Sequence, residues 1–147
     1  MITISFLGLD QYLVGKYSAE HTKNLADLFE ADRAAINFYA PNCYFYHEGV
    51  DQTAWNTLIR VHAPKQYAPL EEKVAKYLLE TTAEIAINVA VEFCYYDQKA
   101  RHELLNDDYP RFITEANAVH VHDEEGEDES EELFEGDIFA GIEGKDE

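Results

Sequence analysis

The chain is poor in basic residues. Eleven lysines and arginines stand against thirty aspartates and glutamates, a formal charge of −19 over 147 residues. A field of that sign repels phosphate backbones and anionic headgroups, so neither nucleic acid nor a membrane surface is an expected partner. Cysteine is scarce too: Cys43 and Cys94 are the only two. With no secretory leader expected, two thiols read as reduced side chains rather than a bridge, and the expected location is cytoplasmic. Long apolar runs are missing. The opening stretch MITISFLGLDQYLVG has no basic leader and is broken by Asp10, so it reads as neither a signal peptide nor a membrane span. No cofactor is expected.

What is present suffices for a core. Hydrophobic residues make up 46% and aromatics 13%, with ten tyrosines and eight phenylalanines. At this length a body of about 110 to 120 residues with an appendage is the natural partition. We expect a folded domain over residues 1–122 and an acidic tail over 123–147, where carboxylates crowd against Lys145 alone. Such a composition is typical of solvated segments. The apolar island LFEGDIFAGI, Leu133 to Ile142, reads as a docking segment within it.

Periodicity organises the rest around Thr57 to Asp97. Ile59, Val61 and Ala63 alternate with Leu58, Arg60 and His62; later Ile87, Val89, Val91, Phe93 and Tyr95 alternate with Asn88, Ala90, Glu92, Cys94 and Tyr96. Alternation at period two predicts two strands, each with one buried and one polar face. Between them Leu70, Val74 and Leu78 recur at helical spacing. Ile2 to Tyr39 repeats the plan: an alternating strand ended by Gly8, a connection Tyr12 to Tyr17 containing Gly15, a helix capped by Ser18 and running to Ala31, and a strand Ala35 to Tyr39. Cys43 to His47 predicts a short aromatic strand, Gln98 to Asn106 a short helix, and Ala118 to His122 one further strand. The class is α+β, two β-α-β units in tandem. Two architectures accommodate that order. One is a ferredoxin-like sandwich; the other sets the units side by side about a pseudo-twofold axis.

Several residues carry chemistry. Arg60 and Glu92 would form a substrate clamp and acid, or an ordinary cross-strand ion pair. His47 and His62 would complete a proton-transfer site, or serve as hydrogen-bonded histidines. Cys94 on a polar face would be a reactive thiol or an inert one. His120 and His122 share a strand face at metal-ligand spacing, but no second ligand pair accompanies them, and no metal site is assigned. Tyr44, Tyr46, Tyr95 and Tyr96 would line an apolar pocket or fill subunit contacts.

The segment VAVEFCYYD, Val89 to Asp97, resembles the strand V-Y-I-N-Y-Y-D of the tautomerase and macrophage migration inhibitory factor superfamily, and the chain from Met1 to about Asp107 is similar to its small bacterial branch. The resemblance implies the side-by-side arrangement and a homo-oligomer, most simply a trimer, binding a small carboxylate or aromatic ligand. It also implies a base at the start of the first strand. That base is an N-terminal proline in the family, whereas here Met1 is followed by Ile2, so the corresponding group is the primary amine of Met1. An α-amino group titrates near about 8 and lower when buried. The family's strand tyrosine and asparagine fall on Glu92 and Cys94, and its helix-end cation has Arg33 close by. The site expected on this basis comprises Met1, Arg60 and Glu92 as catalytic groups, with Arg33, His62, Cys94 and Tyr96 binding substrate. With every family position altered, a binding, assembly or vestigial role is expected ahead of a keto-enol tautomerase with an altered site.

Overall fold

A computed structural model describes residues 1–117. Its elements are β1 (Ile2–Leu7), α1 (Gln11–Phe29), β2 (Ile36–Tyr39), β3 (Tyr46–His47), β4 (Val50–Asp51), β5 (Asn56–Pro64), α2 (Glu71–Thr82) and β6 (Asn88–Tyr96). The four long strands form one sheet in the order β2-β1-β5-β6, and β3 and β4 form a separate two-stranded hairpin. Within each β-α-β unit the strands are adjacent and parallel, β1 with β2 and β5 with β6. The units join through the antiparallel pair β1–β5. A ferredoxin-like sheet would not place the two strands of each unit side by side, so the topology selects the pseudo-twofold arrangement.

The two helices lie on one face of this sheet. Ile2, Ile4 and Phe6 of β1 and Ile59, Val61 and Ala63 of β5 are fully buried, and they meet Val14, Tyr17, Leu25 and Phe29 of α1 and Val74 and Leu78 of α2. Each buried Val, Leu, Ile or Phe side chain contributes about 1.5–3 kcal/mol when withdrawn from water. The helices are tied to each other by polar groups as well. Tyr17 Oη lies 2.5 Å from Thr81 Oγ1, and Tyr77 Oη takes hydrogen bonds with His21 Nδ1 at 2.7 Å and Asn24 Nδ2 at 2.9 Å.

Helix α1 starts seven residues before the expected Ser18 cap. Asp10 caps it instead, its carboxylate accepting from the Tyr12 and Leu13 amides at 2.8 and 3.3 Å. That satisfies two orphan donors of the first turn and lets the helix run through Gly15. The aromatic strand Cys43–His47 shrinks to Tyr46–His47. Ile87 lies outside β6 and is exposed. Of the helix expected over 98–106, only the 3₁₀ turn Gln98–Ala100 forms, capped by Asp97.

Packing divides the chain into two units, Met1–Glu103 and a second beginning at Leu104. The described part of the second, residues 104–117, is exposed and has neither helix nor strand; local bonds such as Asn117 Nδ2 to the Phe112 carbonyl organise it. The strand expected at Ala118 to His122, the acidic tail and the segment Leu133 to Ile142 lie outside the described residues.

Candidate functional site

The face of the sheet away from the helices is open. Because β-strand side chains alternate, it carries Thr3, Ser5 and Leu7 of β1, Asn37 and Tyr39 of β2, Leu58, Arg60 and His62 of β5, and Ala90, Glu92 and Cys94 of β6. The register stacks these into rows. Thr3, His62 and Cys94 lie opposite one another, as do Ser5, Arg60 and Glu92, and then Leu7, Leu58 and Ala90. From the Met1 end to the Leu7 end the face therefore passes from polar and charged to apolar.

Arg60 and Glu92 are brought together. Arg60 Nε donates to Glu92 Oε2 at 3.2 Å, with the side chains 45% and 54% exposed. An exposed pair of this kind contributes at most about 1 kcal/mol, and it commits one guanidinium donor to a carboxylate of the chain itself. His62 and Cys94, both exposed, are direct neighbours in the register. The thiols of Cys43 and Cys94 are free.

Met1 keeps different company. Tyr96, the last residue of β6, donates its hydroxyl to the Met1 carbonyl at 2.5 Å, and Arg101 Nη2 lies 2.9 Å from the Met1 sulfur. Arg101 is itself oriented by Glu103, Nε to Oε1 at 2.6 Å, and that hydrogen bond raises the guanidinium above its ordinary value. Arg33 sits in the 3₁₀ turn Arg33–Ala35 leading into β2, whose Ile36 pairs with Ile2, so it belongs to the Met1 end of the sheet. Met1 and the Arg60–Glu92 pair are two rows apart, about 13 Å along β1. One chain thus gathers Met1 with Tyr96, Arg60 with Glu92 and His62 with Cys94, but does not unite the three pairs around one reacting atom.

Arg101 and Glu103 were not legible as site residues. Arg101 reaches Met1, held by Glu103, after Asp97 caps a tight turn that follows β6, and no periodic signal marks that turn. A second feature beyond sequence reading is a cleft of about 480 Å³ at the other end of the sheet, between the apolar row and the segment Cys43 to Phe45. Among the described residues no group of three or more histidines, cysteines or acids is placed to hold a metal ion, and His120 and His122 lie outside them. No described helix is long and apolar enough to cross a membrane.

No protein-family model matches the chain, and neither does any curated protein sequence. Solved structures do match. A domain of unknown function, DUF1904, from Sebaldella termitidis ATCC 33386 aligns at a TM-score of 0.64 and 18% identity over 70% of this chain and 95% of its own. A macrophage migration inhibitory factor-like protein from Entamoeba histolytica aligns at 0.54 and 10% identity, covering 69% and 92%. A fused 4-OT, an asymmetric trimer, aligns at 0.53 and 12% identity, covering 65% and 86%. At such identities the likeness is one of fold, and the fold of this chain is the tautomerase fold of the migration inhibitory factor type.

Proposed function

We propose that this protein is a homo-oligomeric binding or assembly protein built on the tautomerase fold, most simply a trimer, and not a tautomerase of the proline-base kind. The observation that carries the proposal is the open face. Parallel strand pairs are ordinarily covered on both sides, yet here β5 and β6 leave Arg60, His62, Glu92 and Cys94 exposed while their other faces pack towards the helices, fully buried on β5 and partly buried on β6. Contact of further copies of the chain with the rows of Arg60, His62, Glu92 and Cys94 would cover that part of the face, and the trimeric state of the fused 4-OT neighbour supports the same number. The unbridged thiols support a cytoplasmic location.

The chemistry supports binding over catalysis. The residue before β1 is Met1, not proline, and the charged pair on the open face is internally neutralised. A second reading, a keto-enol tautomerase with an altered site for a small carboxylate or aromatic ligand, draws on Tyr96 and Arg101 converging on Met1. Phenylpyruvate tautomerisation by the native chain and by an Ile2→Pro variant, with methionine removal verified by mass spectrometry, separates the two. The native chain is expected to be inactive while light scattering shows a particle of more than one chain. Turnover by the native chain that falls on Tyr96→Phe would establish the second reading instead.

A further inference from the structure

We infer that the cleft at the Leu7 end of the sheet is a binding site for a small, uncharged, largely apolar molecule of about the size of two linked aromatic groups. The site goes beyond the function proposed above and does not depend on it. Met1 and Leu7 are separated by the whole of β1, about 20 Å, so the cleft is distinct from the Met1 cluster.

Three observations carry the inference. The first is size. About 480 Å³ falls within the range of small-molecule sites, roughly 300–1,000 Å³. The second is chemistry. Leu7, Leu58 and Ala90 share one sheet face and line the cleft together with the aromatic segment Tyr44 and Phe45, and amides of Asn56 and Asn88 supply the hydrogen-bonding groups. None of its eleven lining residues is a lysine, arginine, aspartate or glutamate, although those types make up 28% of the chain. An ion entering the cleft would shed water without meeting a counter-charge, which selects a neutral ligand.

The third observation is that the walls are fixed. The Ala54 amide donates to the Gly8 carbonyl at 2.7 Å, the Asn88 amide to the Trp55 carbonyl at 2.9 Å, and the Gln52 amide to the Phe45 carbonyl at 2.7 Å. These bonds tie the aromatic segment and its return strand to the ends of β1 and β6. Thr53 reinforces them, its hydroxyl accepting from the Phe45 amide at 3.2 Å while donating to Asp51 at 2.6 Å. At Gly8 the backbone is so close that a Cβ would stand 2.8 Å from the Asn56 carbonyl oxygen, and φ is +81°. Only glycine allows that approach without strain. A concave wall held by backbone bonds is preformed and needs little ordering on binding. A second copy of the chain would find its polar partners on the neighbouring rows of Arg60, Glu92 and His62 rather than in this uncharged hollow.

The test uses the full chain and the neutral fluorophore N-phenyl-1-naphthylamine. Saturable binding at one probe per chain is expected. Anionic 8-anilinonaphthalene-1-sulfonate should bind at least tenfold more weakly. Ala90→Trp, which fills the cleft from an exposed position, should lower probe affinity at least tenfold with native mass and circular dichroism unchanged. Ala90→Glu, which places a charge in the lining, should do the same and serves if the tryptophan variant misfolds. Absence of saturable binding, affinity unmoved by both variants, or equal affinity for the two probes would overturn the inference. So would a change of native mass in Ala90→Trp, which would assign the cleft to a neighbouring subunit. Tautomerase activity, present or absent, leaves the result unaffected.

Discussion

The two faces of the central sheet are made by the same strands and behave as different materials. On the helix side Ile2, Ile4, Phe6, Ile59, Val61 and Ala63 are fully buried; one residue further along each strand, Thr3, Ser5, Arg60 and His62 keep contact with solvent. Alternation at period two means that no strand can be changed on one face without addressing a different problem on the other. The helix side is closed within the chain, so it determines the fold. The open side is not closed within the chain, which is why the proposed assembly is placed there.

The sharpest way to break this contrast is to truncate each face and compare. Phe6→Ala removes a fully buried ring that packs on Tyr17 at 5.0 Å and on Phe38 at 6.2 Å between centroids. A loss of about 3–5 kcal/mol is expected in urea unfolding. Ser5→Ala, its neighbour on the open face, should stay within about 0.5 kcal/mol. Equal losses would mean that the open face is as tightly packed as the core in the working protein.

The same asymmetry explains what could be read from the sequence. The strands of Ile2, Ile59 and Val89 were legible because one face of each is buried and the alternation is regular. The fold class followed from their order. Helix α1 was legible from Ser18 onward but not over its first seven residues, Gln11 to Tyr17, because Gly15 looks like a loop residue in a connection and Asp10 like an interruption rather than a cap. The partnership of Arg60 with Glu92 was legible from opposite charges on neighbouring polar faces, and the register puts them opposite. The approach of Tyr96 and Arg101 to Met1 was not, since it depends on where β6 ends and how the chain turns there. The cleft was equally hidden. It is made by segments near residues 8, 44, 57 and 89, and no local pattern connects them.

A smaller effect sharpens the helix side. Tyr17 lies 3% exposed with its hydroxyl against Thr81, and burial raises its phenol above the ordinary value of 10.0. The folded protein therefore holds Tyr17 neutral at pH values where the unfolded chain has begun to ionise. Its contribution is fully present below pH 10 and is lost as pH rises beyond it, because there the unfolded state binds fewer protons. Tyr17→Phe should destabilise by about 1 kcal/mol at neutral pH through the lost hydrogen bond. It should also flatten the fall of stability above pH 10 in denaturant titrations. Tyr95, raised by burial and by the Glu71 carboxylate that accepts its hydroxyl, contributes in the same direction and remains in the variant. A slope identical to that of the native chain would show that Tyr17 is not the group held neutral by the core.

The smallest expected effect on folding is the most informative about the open face. Within one chain, Arg60→Ala removes an ion pair whose partners are about half exposed, so unfolding of the isolated chain should shift by less than about 1 kcal/mol. If copies meet through this face, the same substitution leaves the Glu92 carboxylate buried in each contact without its cation, and an uncompensated charge in an interface costs several kcal/mol, about 3–5. The expectation is therefore a variant that folds normally and dissociates, seen as a drop in native mass at a concentration where the native chain remains assembled. Glu92→Gln supplies the complementary reading, since it retains a hydrogen-bonding group opposite Arg60 and should weaken assembly with the opposite change of net charge. Loss of folding stability in Arg60→Ala without any change in native mass would place the ion pair's role inside the single chain and detach the open face from assembly.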